Sequence, residues 1–155
     1  MKKYILPIIS ALLIGFLFAK FTIDQYNKKE NITTVFNNST KLYFIQQGVY
    51  SSKESMETNM ADFAYYIYNI KDNQYYTYIG ITGDKENSEK LKGIFDELGY
   101  ITYIKEVNVS NEGFIEVLRQ YDNLLKKTTD KKIIKAICSQ ILSKYEELIL
   151  NDSID

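Results

Sequence analysis

Twice in this chain a β-rich run gives way to a glycine and then to a helix-start signal. That recurrence constrains the fold more than any other feature. Residues 41–47 alternate as a strand, with Tyr43 and Ile45 facing one way and Phe44 and Gln46 the other. Gly48 permits a bend, and Ser51 with Glu54 three residues later forms a capping-box signature. Met56, Met60, Phe63, Ala64 and Ile67 then recur at helical spacing, while residues 65–70 carry strong β propensity and overlap the end of that helix. A polar turn over 71–74 leads to a second β-rich run over 75–82. Gly83 and Asp84 open the next helix, with Asp84 as N-cap, Leu91, Ile94, Phe95 and Leu98 as its buried stripe, and Gly99 at the C′ position. Residues 101–109 alternate as a final strand. The order β-α-β-β-α-β predicts an α+β domain over residues 41–109. Its four-stranded antiparallel sheet would carry two helices on one face and leave the other face open.

The flanks differ from this core. Lys2 and Lys3 precede an apolar run over residues 4–19, extended past Lys20 by Phe21, Thr22 and Ile23. The run has about the length needed to cross a hydrocarbon core, and Lys20 can snorkel to the headgroups. A cleavage site is poorly formed, because Leu17 and Phe18 precede Ala19, and no cysteine follows for lipidation. Residues 1–23 are therefore expected to be a retained transmembrane signal-anchor. The two leading lysines place the N-terminus in the cytoplasm and the rest outside the cell membrane. Residues 24–40 read as a polar tether. At the other end, Phe114, Val117, Leu118, Tyr121, Leu124 and Leu125 form one helical stripe. Asp130 follows as a cap, and Ile134, Ile137, Cys138, Ile141, Tyr145, Leu148 and Ile149 form a second stripe. Residues 110–150 are thus expected to be a helical hairpin, packed on the domain or offered to a partner.

Composition removes several chemistries. The chain has no histidine and one cysteine, which excludes histidine-based triads, four-ligand Cys/His zinc sites and an internal disulfide. Beyond residue 23 there are 16 basic and 20 acidic side chains, so nucleic acid is not an expected partner. Asp62, Asp72, Asp84 and Glu86 are available carboxylates, but they fall at turns and helix starts, where caps and solvated charges are ordinary. No enzymatic activity, metal or cofactor is expected.

The stretch Gln46-Gln47-Gly48-Val49-Tyr50-Ser51-Ser52-Lys53-Glu54 resembles the opening of SPOR domains, the sporulation-related repeats that bind peptidoglycan. Tyr75-Tyr76-Thr77-Tyr78-Ile79-Gly80 resembles the second half-motif of that family. Asp84-Lys85-Glu86-Asn87-Ser88 is similar to the start of its second helix, and Leu98-Gly99-Tyr100 to that helix's close. Tyr76 stands where the family commonly has arginine, Ile81 where it has proline, Met56 and Ser88 where it has small alanines, and Gln47 at a usually apolar position. The resemblance implies a divergent SPOR domain that binds glycan strands stripped of stem peptides, at a division septum or in sporulation.

Strand alternation places Phe44, Gln46, Gly48, Tyr76, Tyr78 and Gly80 on the expected open face. Aromatic faces stack on pyranose C–H surfaces, amides and phenols bond sugar hydroxyls, and glycines let a ligand approach the backbone. The register of the second strand stays open, and with it the placement of Tyr66 and Tyr68. A second reading treats the sheet as a degenerate scaffold. There the C-terminal helices would recruit a protein of an envelope or division complex.

Overall fold

A computed structural model of the chain describes residues 39–150. The expected span over 1–23 and all but the end of the tether lie outside the described residues. Among the described residues no helix is long and apolar enough to cross a membrane. Residues 39–150 belong to one compact unit.

The element order is β1 (Thr40–Tyr50), α1 (Lys53–Asn59), β2 (Ile67–Lys71), β3 (Gln74–Thr82), α2 (Lys85–Glu97), β4 (Tyr103–Val109), α3 (Glu112–Lys127) and α4 (Lys131–Tyr145). A π-helical turn, Glu146–Leu150, continues α4. The strands form one four-stranded antiparallel sheet in the order β2-β3-β1-β4. The α+β class and the β-α-β-β-α-β order therefore stand as expected.

Local chemistry explains most boundaries. Asp84 caps α2 by accepting from Asn87 N at 3.0 Å, and Asn111 caps α3 by accepting from Phe114 N at 2.8 Å. Asp130 caps α4, accepting from Lys132 N and Ile133 N. The first helix departs from expectation. Its cap is Ser52, which accepts from Ser55 N, and it ends at Asn59. Phe63, Ala64 and Ile67 lie beyond it, and Ile67 begins β2. The β-branched and aromatic content of residues 65–70 outweighs the helical spacing there, because β3 offers a partner strand. Asp72 and Asn73 make the two-residue hairpin turn with φ of 52° and 58°, a type I′ geometry that these residue types tolerate.

Gly99 has φ of +90°, and a Cβ there would meet nothing within 4 Å. The glycine serves the backbone alone. Gly99→Ala is expected to destabilise the fold by about 1–2 kcal/mol through the left-handed conformation only. Chemical denaturation checks this, since the loss should come with an unchanged m-value.

The sheet carries apolar residues on both faces. Ile45 and Leu91 of α2 meet on one side, each about where a Cβ on Gly80 would sit, at 3.4 and 3.5 Å. Leu42 and Phe44 point the other way and are covered by the C-terminal helices, with Phe44 in edge contact with Tyr145 at 5.3 Å between ring centroids. Tyr145 in turn meets Phe114 of α3 edge-on at 5.2 Å. The expectation of an open second face is corrected here. Residues 110–150 do form a helical hairpin, and most of its stripe residues are spent on the sheet, Leu124 staying exposed. Phe114, Leu118, Leu125, Ile134 and Ile141 are fully buried.

Helix α4 packs against β3. It can do so because β2 pairs only with residues 74–78 and leaves the remainder of β3 without a neighbour on that side. Cys138 of α4 approaches the Gly80 position on the α2 side, while Tyr145 reaches Phe44 on the opposite side. The hairpin is also tied to α2. Lys90 Nζ donates to the carbonyls of Leu125 and Thr128 at 2.5 and 2.6 Å, satisfying the end of α3.

Candidate functional site

The six residues expected on one face divide between two. Between the pairs Ile45–Gly80 and Gln46–Tyr78, β3 advances by two residues while β1 advances by one. Between Gln46–Tyr78 and Gly48–Thr77 the reverse occurs. These are two offset bulges, and each turns the following side chains over. Directly opposed residues share a face. Phe44, Gln46, Tyr76 and Tyr78 therefore share one face, and the Phe44–Tyr78 edge contact at 5.5 Å agrees with that. Gly48 and Gly80 fall on the other. Gly80 is buried between Ile45, Leu91 and Cys138, and Gly48 lies beneath the Tyr50 ring. Simple alternation cannot see a bulge, which is why the sequence reading joined the two glycines to the platform.

Accessibility divides the remaining four. Phe44 is 3 % exposed under Tyr145, and Gln46 is 5 % exposed. Tyr76 and Tyr78 are half-buried. The sheet contributes two further residues that the sequence reading did not single out. Tyr103 of β4 is paired with Gln46, and Val49 of β1 is paired with Tyr76. Tyr103 is 57 % exposed and Val49 41 %. A row Tyr78–Gln46–Tyr103 thus crosses three strands, with Tyr76–Val49 beside it. Tyr103 lies within the last expected strand, residues 101–109, and opens β4; only the register shows that it stands opposite Gln46. Tyr66 is half-buried, ahead of β2, while Tyr68 pairs with Thr77 and so lies on the opposite side from Tyr76 and Tyr78.

The electrostatics of the row are those of uncharged donors and acceptors. Burial, and secondarily neighbouring Tyr76, pushes the Tyr78 phenol above its ordinary value. Burial does the same at Tyr145, followed by the influence of Tyr78. Both phenols stay neutral at physiological pH. Gln46 Oε1 is buried and accepts no hydrogen bond. A buried acceptor left unpaired costs about 1–3 kcal/mol, so this atom is an unfilled valence at the centre of the row. Gln47, by contrast, is paired: its Oε1 accepts from Tyr50 OH at 2.5 Å and Thr77 Oγ1 at 3.4 Å.

The carboxylates considered for chemistry serve local structure or solvent. Asp84 caps α2 and pairs with Lys126 Nζ at 2.6 Å; the hydrogen bond from Lys126 holds its carboxyl below the usual range. Asp72 sits in the hairpin turn, and Asp62 and Glu86 are exposed. Among the described residues no group of three or more His, Cys, Asp or Glu side chains is placed to hold a metal ion. Cys138 is buried, and that burial pushes its thiol up to about 12. No protein-family model, curated protein or solved structure matches the chain.

Proposed function

We propose that this chain is a membrane-anchored binding protein of the cell envelope, a divergent SPOR-like domain that reads peptidoglycan glycan through the row Tyr78–Gln46–Tyr103 and the adjoining Tyr76. The observation that carries the reading is the unpaired Gln46 Oε1 flanked in register by two tyrosines. A turn of the Gln46 side chain toward the surface lets a sugar hydroxyl or N-acetyl N–H donate to its oxygen, while the rings stack on the C–H faces of the pyranose. In this reading the described domain stands outside the membrane, anchored by residues 1–23 through the tether over 24–40, and no catalysis is involved. The α-helical layer on the second face confines the ligand to the half of the sheet beyond Phe44. A shorter platform suits a glycan strand lying across the strands at Gln46. The row itself carries no charge, which suits strands stripped of stem peptides; exposed Lys105, opposite Phe44, is the charged side chain beside it on that face.

Co-sedimentation of the full chain with purified peptidoglycan, untreated and amidase-treated, tests the proposal. Retention is expected to rise on treated material. Tyr76→Ala with Tyr78→Ala should lower affinity by at least tenfold, since stacking residues contribute about 1 kcal/mol or more each. Gln46→Leu, which removes the orphan acceptor, should weaken retention while raising stability. Equal retention of all variants overturns the assignment of this face.

A second reading, an interaction module of a division complex, is favoured by a different surface. Ile101 is 73 % exposed, close in the chain to exposed Leu98. On the hairpin itself Leu124, Ile133 and Leu150 remain exposed for a partner, most of its stripe residues being buried. Loss of partner capture in Ile101→Asp, with peptidoglycan retention absent, would move the function there.

A further inference from the structure

On the α2 side, apart from the tyrosine row, a groove of about 330 Å³ opens between α4 and the segment joining α1 to β2. Its floor is Ile79, Phe95 and Cys138, each no more than 2 % exposed. Its walls are Phe63, Ala64, Tyr65 and Ala136, with the exposed alanines at its rim. Pockets of this size with apolar walls and few polar groups suit small ligands.

The charge at the mouth is specific in sign. Lys132 and Lys135 line the groove, with Asp62 as the opposing carboxylate. The neighbouring Lys126, Lys131 and Lys144 each have an acidic partner within 2.8 Å. Among the described residues Lys132 and Lys135 make no ion pair. Lys135 Nζ is instead held over the rings of Phe63 and Tyr100, at 5.9 and 5.6 Å from their centroids. Cation–π contact keeps an ammonium near an apolar wall without neutralising it. Of the charged residues lining the groove, two are ammonium groups and one, Asp62, is a carboxylate; a second carboxylate, Glu146, is engaged by the hydroxyl of the wall residue Tyr65.

We propose that this groove binds a small amphiphilic carboxylate, with its apolar body on Ile79, Phe95 and Cys138 and its head between Lys132 and Lys135. The apolar floor supplies burial energy and the two ammonium groups select the sign of the head. Hydrocarbon alone would leave the lysines without a partner, and a cationic head would be repelled. The inference stands independently of the glycan reading, since it uses neither the row nor its residues.

Hexanoate titrated into the full chain tests this, followed by the methyl resonances of Ile79, Ala64 and Ala136. Saturable shifts at these methyls are expected, with Ile115 across the domain unmoved. Hexylammonium should bind at least tenfold more weakly, and hexanol should fall between them. Lys132→Gln with Lys135→Gln, both away from the buried core, should lower hexanoate affinity about tenfold. Ala136→Phe, at an exposed wall position, should fill the groove and abolish the shifts. Absent saturation with hexanoate overturns the proposal. So does equal binding of hexylammonium, or unchanged affinity in the double lysine variant.

Discussion

Replacing Phe114 by alanine is expected to cost about 3–5 kcal/mol, the range for truncating a buried aromatic. Phe114 is fully buried and stands at the end of an edge-to-face series that runs through Tyr145 and Phe44 to Tyr78. That series joins α3, α4, β1 and β3, so the lost contacts belong to the sheet as much as to the hairpin. Two probes decide the outcome. Denaturation followed at a hairpin methyl and at a sheet methyl should shift together by the same free energy. If the hairpin signal moved while the sheet signal did not, the C-terminal helices would be an appendage. The size matters against a total stability of about 5–15 kcal/mol for a domain of this kind. Tyr145→Phe removes only a hydroxyl and should leave both probes within about 0.5 kcal/mol of the parent.

Asp122→Ala is expected to cost about 3 kcal/mol, and the reason is unpaired donors. Asp122 of α3 is 8 % exposed and reaches into the turn between β3 and α2. Its carboxylate accepts from Thr82 Oγ1, from Gly83 N at 2.9 Å and from Asn87 Nδ2 at 3.3 Å. Alanine strands these donors in a buried place, at about 1–3 kcal/mol for each that finds no water. Asp122→Asn keeps one acceptor oxygen, and its amide can donate to Thr82 Oγ1, so its cost should be under half as large.

The same residue sets a pH signature. Burial pushes the Asp122 carboxyl above its ordinary value, against the pull of its three donors. The native state therefore holds this proton more firmly than the unfolded chain does. The group's contribution to stability is full below the ordinary carboxylate value and falls as pH rises through the raised one. Asp122→Asn removes that dependence, so the variant should gain on the parent as pH rises above the ordinary carboxylate value. Asp84 acts with the opposite sign. The Lys126 hydrogen bond lowers its carboxyl, so its contribution is present at neutral pH and is lost as pH falls. Lys126→Ala should flatten the acid limb that Asp84 produces. Urea midpoints measured from well below the ordinary carboxylate value up to neutrality separate the two: the Asp84 limb lies below that value and the Asp122 limb above it.

The caps and turns were legible because each is a local matter. Asp84 and Asp130 bond to backbone amides within three residues, and Asp72 and Asn73 supply their own turn, whereas the Asn111 cap went unread and the first cap fell at Ser52 rather than Ser51. The length of α1 was not legible. Helical spacing from Met56 to Ile67 competed with β propensity over 65–70, and only the availability of β3 as a partner decided it. Of the candidate face, Tyr76 and Tyr78 were placed together by alternation alone. Gly48 and Gly80 were not, because two bulges turn them to the α2 side. Tyr103 was missed, because a cross-strand register carries no mark in the sequence of either strand.

The sequence by itself determined the β-α-β-β-α-β order, the antiparallel hairpin of β2 and β3, and the two amphipathic helices that follow. All of these rest on propensity, periodicity and capping within a few residues. It also determined what chemistry is absent from the side chains, since a chain without histidine and with one cysteine cannot build sites that need more. Only the tertiary structure decided where the hairpin stripes go. Apolar residues at Leu42 and Phe44 on one side of β1, and at Ile45 on the other, demand two covering layers. The shortness of β2 leaves the space beside β3 that α4 fills. That choice covers Phe44 and leaves the row at Gln46 with its unpaired oxygen, because burial is settled by how distant segments share one core and by nothing local to the strand.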